Sequence, residues 1–345
     1  MATTPSPAQA PDKKPASVGR RVVGWFFTIV GIAVSLALIV GGFYVWRVWS
    51  TASNIERSDG LLPTTTEERP AEDAAAPGSF NYVLMGSDSR GSGDQGRSDV
   101  LMLAHVPPTH DRVYIISFTR DMWVEIPGHG MNKINAAYAY GGEALATQTL
   151  ESLVGVRMDH AVKIDFEGFM GLTQALGGVT VYNRVASVGH ADDGTRYAWP
   201  QGEITLSGQE ALFYVRQRYE LPGGDLDRAE RQRAMVKAIL KGMMSRDLLA
   251  NPARFNEVMG ELSRYFTVDS GLTNDVLFST ATQMRLKSTA DIAMLQAPIS
   301  GFGTSQAGAA INIVNEQQLA EMAHAIQTGT MVDYYDKYKD QPFVP

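Results

Sequence analysis

The stretch 86–100, GSDSRGSGDQGRSDV, sets Asp88-x-Arg90 and Arg97-x-Asp99 at the two ends of a short glycine-rich run. Two carboxylates at one strand rim can seat Mg2+, which takes one or two protein carboxylates and completes its shell with water and phosphate oxygens. Mn2+ suits the same hard donors. Gly86, Gly91, Gly93 and Gly96 let backbone amides approach an anion. Alone, the run is equally a polar loop with two local ion pairs. Further arginines shift that balance. SFTRD places Arg120 and Asp121 just after an apolar strand, on what the pattern predicts is the same rim. In YVRQRYE, Arg216 and Arg218 alternate, which in an extended segment puts both on one face. GGDLDRAERQR adds Arg228, Arg231 and Gln232 in the first turns of a helix, with Arg228 and Gln232 four apart on one face. A helix N-terminus carrying arginines is an anion site, and the guanidinium fork matches phosphate oxygens. Each arginine could make an ordinary surface ion pair. The set, beside two aspartates, points to a pyrophosphate with its metal.

Other chemistries find little in the chain. It has no cysteine, which removes disulfides, thiolate nucleophiles and cysteine-ligated metals. The six histidines are scattered, no H-E-x-x-H occurs, and His105 in an apolar strand reads as a core or rim residue. A G-x-S-x-G elbow and a G-x-x-x-x-G-K-[ST] loop are both missing. A net charge of −7 argues against a general nucleic-acid binder.

The elements that must position these residues come next. FNYVLM, DVLMLAHV and RVYIISF read as strands of a buried sheet. GGEALATQTLESLVG has helical spacing, HAVKIDF is a strand, EGFMGLTQALGG is a helix ending on glycines, and VTVYN is a strand. Capping boxes are expected at Ser207–Glu210 and, with Asp227 as cap, at Asp227–Glu230. Helices are predicted near 251–264, 273–285 and 315–327, and residues 331–345 as a surface tail. This mixture of strands and covering helices predicts an α/β or α+β sandwich.

With 345 residues, 44% hydrophobic and 19% charged, the chain has ample material for a core. Val22–Trp46 is 25 residues without a charge, against the ~20 apolar residues a bilayer core requires. Lys13, Lys14, Arg20 and Arg21 precede it against Asp12 alone, which predicts a cytoplasmic N-terminus. The expected layout is a disordered tail (1–21), a transmembrane helix (22–46), an extracytoplasmic linker rich in Pro, Thr and Ala (47–79), and a catalytic domain (80–330).

The ordered series LMGSDSR, GRSDVLML, ISFTRDMWVEIPG, KINAAYAYGG, VKIDFEGF, LGGVTV, LSGQEALFYVRQR and GDLDRAERQR resembles the LytR-CpsA-Psr family of bacterial cell-envelope proteins over roughly residues 80–241. The resemblance implies an α/β fold with a mixed central sheet flanked by helices and an apolar cleft for a prenyl chain, in a membrane-anchored phosphotransferase that moves a glycan polymer from a polyprenyl-pyrophosphate carrier to peptidoglycan. It implies that Asp88 and Asp99 hold Mg2+ and that Arg97, Arg120, Arg216 and Arg218 grip the pyrophosphate, with Arg228 and Gln232 completing the pocket. Arg90, Lys133 and Asn135 fall in matching motifs and are assigned to the same pocket. Asp88, Arg120 and Asp225 are the residues assigned to the chemistry. Residues 245–345 match nothing specific. A pyrophosphatase would use the same pocket, with water in place of the sugar hydroxyl. A non-catalytic module that binds lipid-linked glycan is a third reading, and intact Asp88 and Asp99 speak against it. A transcriptional regulator would need a DNA-binding element that the 21 residues before the span are too short to supply.

Overall fold

Residues 98–106, SDVLMLAHV, carry apolar side chains on both faces, so the strand they form belongs inside a sheet covered twice. The computed structural model describes residues 41–64, 69–87, 98–191, 194–217 and 221–340. Residues up to Val48 and those from Trp49 onward form separate units, and the second holds the sheet and the site described below.

The first half runs through helix α1 (41–54), β1 (Glu56–Ser58), β2 (Phe80–Ser87), β3 (Ser98–Val106), β4 (Val113–Phe118), β5 (Trp123–Ile126), β6 (Gly130–Lys133), α2 (Asn135–Val154), β7 (His160–Asp165) and α3 (Phe166–Ala175). Next come β8 (Val179–Asn183), β9 (Ser187–His190), β10 (Arg196–Trp199), β11 (Gly202–Leu206), α4 (Gly208–Arg216), α5 (Asp225–Met243), α6 (Arg246–Leu249) and α7 (Pro252–Tyr265). The chain then forms β12 (Phe266–Asp269), α8 (Asn274–Gln283), β13 (Ile292–Gln296), β14 (Ile299–Thr304), β15 (Ala310–Val314), α9 (Glu316–Thr328) and α10 (Met331–Tyr338).

Seven strands form the central sheet in the order β1-β12-β7-β2-β3-β4-β13, with parallel and antiparallel pairs mixed. One face packs Val83, Met85, Leu103 and Ile116 against α2, α9 and α10. The other packs Met102, Ala104 and Ile115 against Val236 and Leu240 of α5. The expected mixed sheet between helical layers is therefore present, and residues 245–345 supply two of its strands.

The linker expected at 47–79 is largely part of the folded unit. Strand β1 pairs in parallel with β12, Leu61 is fully buried, and the Thr51 hydroxyl reaches the Met259 carbonyl at 3.3 Å. Arg69 forks onto the buried Glu151 at 2.5–3.2 Å. Pro, Thr and Ala composition describes low sequence complexity, and it did not reveal these few anchoring side chains. The predicted tail begins with α10, whose Met331 and Tyr334 are buried in the core. Most of the 22–46 span lies outside the described residues, among which no helix is long and apolar enough to cross a membrane.

Candidate active site

The strand directions place the ends of β2, β4, β7 and β13 and the starts of β3 and β12 at one rim. Ser87, just before Asp88, pairs with Ser98, just before Asp99. Asp88, Arg90 and Arg97 lie outside the described residues, as does the side chain of Asp99. Arg218 lies outside them too.

Beyond β4 the chain turns at Thr119-Arg120-Asp121, with the Met122 N–H donating to the Thr119 carbonyl at 3.0 Å. The next hairpin, β5–β6, returns to this turn. Lys133 Nζ donates to Asp121 Oδ1 at 2.8 Å, and the Asn135 N–H donates to the Arg120 carbonyl at 3.3 Å. From the opposite layer, α5 begins at Asp225 and brings its first turn to the same place. Arg120 Nε lies 3.9 Å from Asp121 Oδ1 and 4.0 Å from Asp225 Oδ1, and Asp225 is bonded in turn to Arg228.

The result is a row of alternating charge: Lys133, Asp121, Arg120, Asp225, Arg228. Burial pushes the Asp225 carboxyl above its ordinary range, with Asp121 adding to the effect, although Arg228 and Arg120 pull the other way. Asp225 Oδ2 is buried and has no hydrogen-bond partner among the described residues.

Beside Arg120 lies a small pocket of about 10 Å³, lined by Leu101, Phe118, Ile134, Asn135, Tyr138 and Ala146. Helix α2 shapes it by breaking at Gly141-Gly142, where Gly142 has φ 66°. The break lets Glu143 accept from both the Tyr138 hydroxyl (3.0 Å) and Lys163 Nζ (2.8 Å). Burial pushes the Tyr138 hydroxyl up to about 12. Burial also works to raise Glu143, but the Lys163 bond and its charge outweigh it and leave that carboxyl below its ordinary range.

Of the expected site residues, Arg120, Lys133, Asn135, Asp225 and Arg228 come together. Arg216 lies in a helix and not in the extended segment expected for it. It is the last residue of α4, exposed, with its guanidinium 4.4 Å from the Phe166 ring centre. Gln232 is buried and donates to the Val215 carbonyl at 3.3 Å, tying α5 to the end of α4.

Arg231 is no anion ligand in this arrangement. Its guanidinium sits 4.2 Å from the Tyr214 ring centre and donates to Gln217, Ser187 and Asn183. Neither predicted capping box forms. The Ser207 side chain makes no cap bond, and Glu210 instead accepts from Trp199 Nε1 at 3.1 Å. Helix α5 starts two residues before Asp227, whose carboxylate accepts from the Gly223 N–H at 2.7 Å. Sequence reasoning noted Asp121 only as a neighbour of Arg120 and missed Glu143, Lys163 and Tyr138. Their contacts arise at the glycine break, which helical periodicity alone does not signal.

Known proteins share this fold. The LytR_cpsA_psr family profile matches residues 46–328. The polyisoprenyl-teichoic acid–peptidoglycan teichoic acid transferase TagU of Enterococcus faecalis is 31% identical over 90% of this chain and 98% of its own. TagU of Bacillus licheniformis is 35% identical over 62% of this chain and 68% of its own. Among solved structures, B. subtilis TagV superposes with a TM-score of 0.62 at 23% identity, over 74% of this chain and 98% of its own, a likeness of fold. TagT bound to LI-WTA gives 0.59 at 25% identity, over 80% of this chain and 99% of its own. With the profile running from the end of the apolar segment through α9, and the charge row built from its motifs, the chain belongs to the LytR-CpsA-Psr family.

Proposed function

We propose that this protein is an extracytoplasmic transferase that moves a glycan polymer from a polyprenyl-pyrophosphate carrier to peptidoglycan. The observation that carries the reading is the Lys133–Asp121–Arg120–Asp225–Arg228 row at one rim of the sheet. Three cations against two carboxylates suit a diphosphate. The TagU relatives, named as polyisoprenyl-teichoic acid–peptidoglycan transferases, support the same substrate class. The apolar segment 22–46 would hold the domain at the membrane that carries the donor lipid.

In the reaction, a peptidoglycan sugar hydroxyl attacks the phosphorus that bears the glycan. The bond from that phosphorus to the bridging oxygen breaks, polyprenyl phosphate leaves, and a phosphodiester remains. Arg120 spreads developing negative charge over its guanidinium, held in place by Asp121 and Asp225. Lys133, Arg228 and the Asn135 side chain orient the diphosphate, and Arg90, Arg97, Arg216 and Arg218 would add charge. Gln232 fixes the relation of α4 to α5. The hydroxyl proton goes to Asp225 Oδ2, whose raised affinity for a proton suits a base.

Asp88 and Asp99 would hold Mg2+, with Mn2+ as the substitute. The β2–β3 register and their hard oxygen donors fit such an ion, and when bound it supplies charge neutralisation at the diphosphate. The decisive experiment gives the full-length protein a prenyl-pyrophosphate-linked disaccharide and peptidoglycan fragments, with Mg2+ or EDTA. Glycan-phosphate attached to peptidoglycan establishes the transferase. Free phosphate without attachment identifies a pyrophosphatase, and binding without either product identifies a carrier module.

A further inference from the structure

Strand β15 reads AINIV, and Asn312 is its polar interruption. Asn312 is only 4% exposed, so its amide must find a partner or cost the desolvation of a buried polar group. It finds Thr119: Asn312 Nδ2 donates to Thr119 Oγ1 at 2.8 Å. The Asn312 backbone N–H donates to the Asp121 carbonyl, also at 2.8 Å, and Met122 and Asn312 form a parallel bridge. One residue thus holds the chain on both sides of Arg120, by side chain before it and by backbone after it. Thr119 and Asp121 are themselves buried, so the grip is shielded from water. Asp121 in turn carries Lys133.

We infer that Asn312, on the β14–β15 hairpin far from every motif in the sequence, is a positioning residue that fixes Arg120 and Asp121 for phosphoryl transfer. The inference rests on the transferase reading above. Asn312 reaches the turn and not the substrate, so its loss lets the guanidinium wander without removing a binding group. Misplacement by an ångström is enough to slow an oriented reaction steeply. The effect therefore falls on kcat and not on KM.

The test uses full-length protein and a short prenyl pyrophosphate with Mg2+, reading phosphate release, or transfer when an acceptor is added. Asn312→Ala and the near-isosteric Thr119→Val should each lower kcat by about tenfold or more, with KM within about twofold. Thr119→Ser, which keeps the hydroxyl, should restore the wild-type rate. The double variant should be no slower than either single one, because both remove the same bond. Hydrogen exchange of the backbone at 119–122 should rise in Asn312→Ala and Thr119→Val and stay low in Thr119→Ser.

If Asn312 only glued the hairpin to the sheet, melting temperature would drop while kcat below it stayed unchanged, and the inference would fail. Losses that multiply in the double variant would also overturn it. If Asn312→Ala does not fold, Thr119→Val against Thr119→Ser decides alone. A wild type that releases no phosphate and also attaches no glycan from a prenyl-pyrophosphate-linked disaccharide to peptidoglycan fragments would sink the transferase reading. In that case exchange at 119–122 still judges the clamp, and unchanged exchange in both variants refutes it.

Discussion

Asp225 occupies a position hostile to a lone carboxylate: buried, with one oxygen lacking a hydrogen-bond partner among the described residues, and tolerable because Arg228 and Arg120 stand beside it. A base must be unprotonated to act. Because burial raises this carboxyl, the rate should fall on the acid side at a pH above the ordinary carboxylate range near 4. A kcat/KM profile of the wild type should show that limb, and Asp225→Asn should lose it along with about a hundredfold in rate. Arg120→Lys should do nearly as badly as Arg120→Ala, about a hundredfold down, because an ammonium cannot reproduce the fork. Steady-state kinetics with a prenyl pyrophosphate checks both. At this scale Arg120 and Arg228 were legible from residue type and spacing, and Asp225 only through the family resemblance. Arg231 has the same spacing along α5 and the opposite fate. The difference lies in Tyr214 and Ser187, distant in sequence, which claim its guanidinium first.

Elements carry a second kind of information. Helix α2 owes its break to Gly142, whose φ of 66° penalises any side chain although the space around its Cβ is open. Gly142→Ala should cost about 1 kcal/mol or somewhat more in urea denaturation and loosen the Glu143–Lys163 contact. The same helix receives Arg69 on Glu151, which is fully buried. Glu151→Gln leaves that guanidinium without its counter-charge and should cost about 3–5 kcal/mol in the same measurement. The strands were readable because continuous apolar runs admit few other readings. Helix α10 was readable in principle: Met331, Tyr334, Tyr335 and Tyr338 recur at helical spacing. Interspersed Asp and Lys disguised them as a tail. Truncation after Thr330 should therefore lower the melting temperature by several degrees through loss of the buried Met331 and Tyr334, whereas removal of 341–345 should leave it unchanged.

At the scale of the whole molecule, the sheet is closed by its two ends of sequence. Asp269, at the end of β12, accepts from the Ala161 and Leu272 N–H groups and faces His160 at 3.1 Å, fastening β12 to β7. Burial works to raise this carboxyl, but the His160 and backbone bonds outweigh it, so its folded pKa lies below the ordinary value. A depressed carboxylate stabilises above its unfolded pKa near 4 and loses that contribution as pH falls through the folded one. Asp269→Asn should then be about 1–3 kcal/mol less stable than wild type at pH 7, and the gap should narrow on acidification. Denaturation curves from pH 7 to pH 3 read this directly. No local pattern announced that β12 lies between β1 and β7, because strand order is a matter of which surfaces meet, and the sequence states only which surfaces exist.

Strand β1 has a consequence in time. Its own Arg57 and the nearby Thr51 bond to residues 215 and 208 positions further along the chain. A chain made from its N-terminus therefore emits this edge strand early and cannot seat it until β12 and the loop behind it exist. Contacts between such distant positions must first overcome the entropy of closing a very long loop, so the docking of β1 belongs to the slow, late phase of folding. Until then the nascent domain exposes the flank of β12 that β1 will cover, and any factor that escorts this protein to its native state must act in that interval.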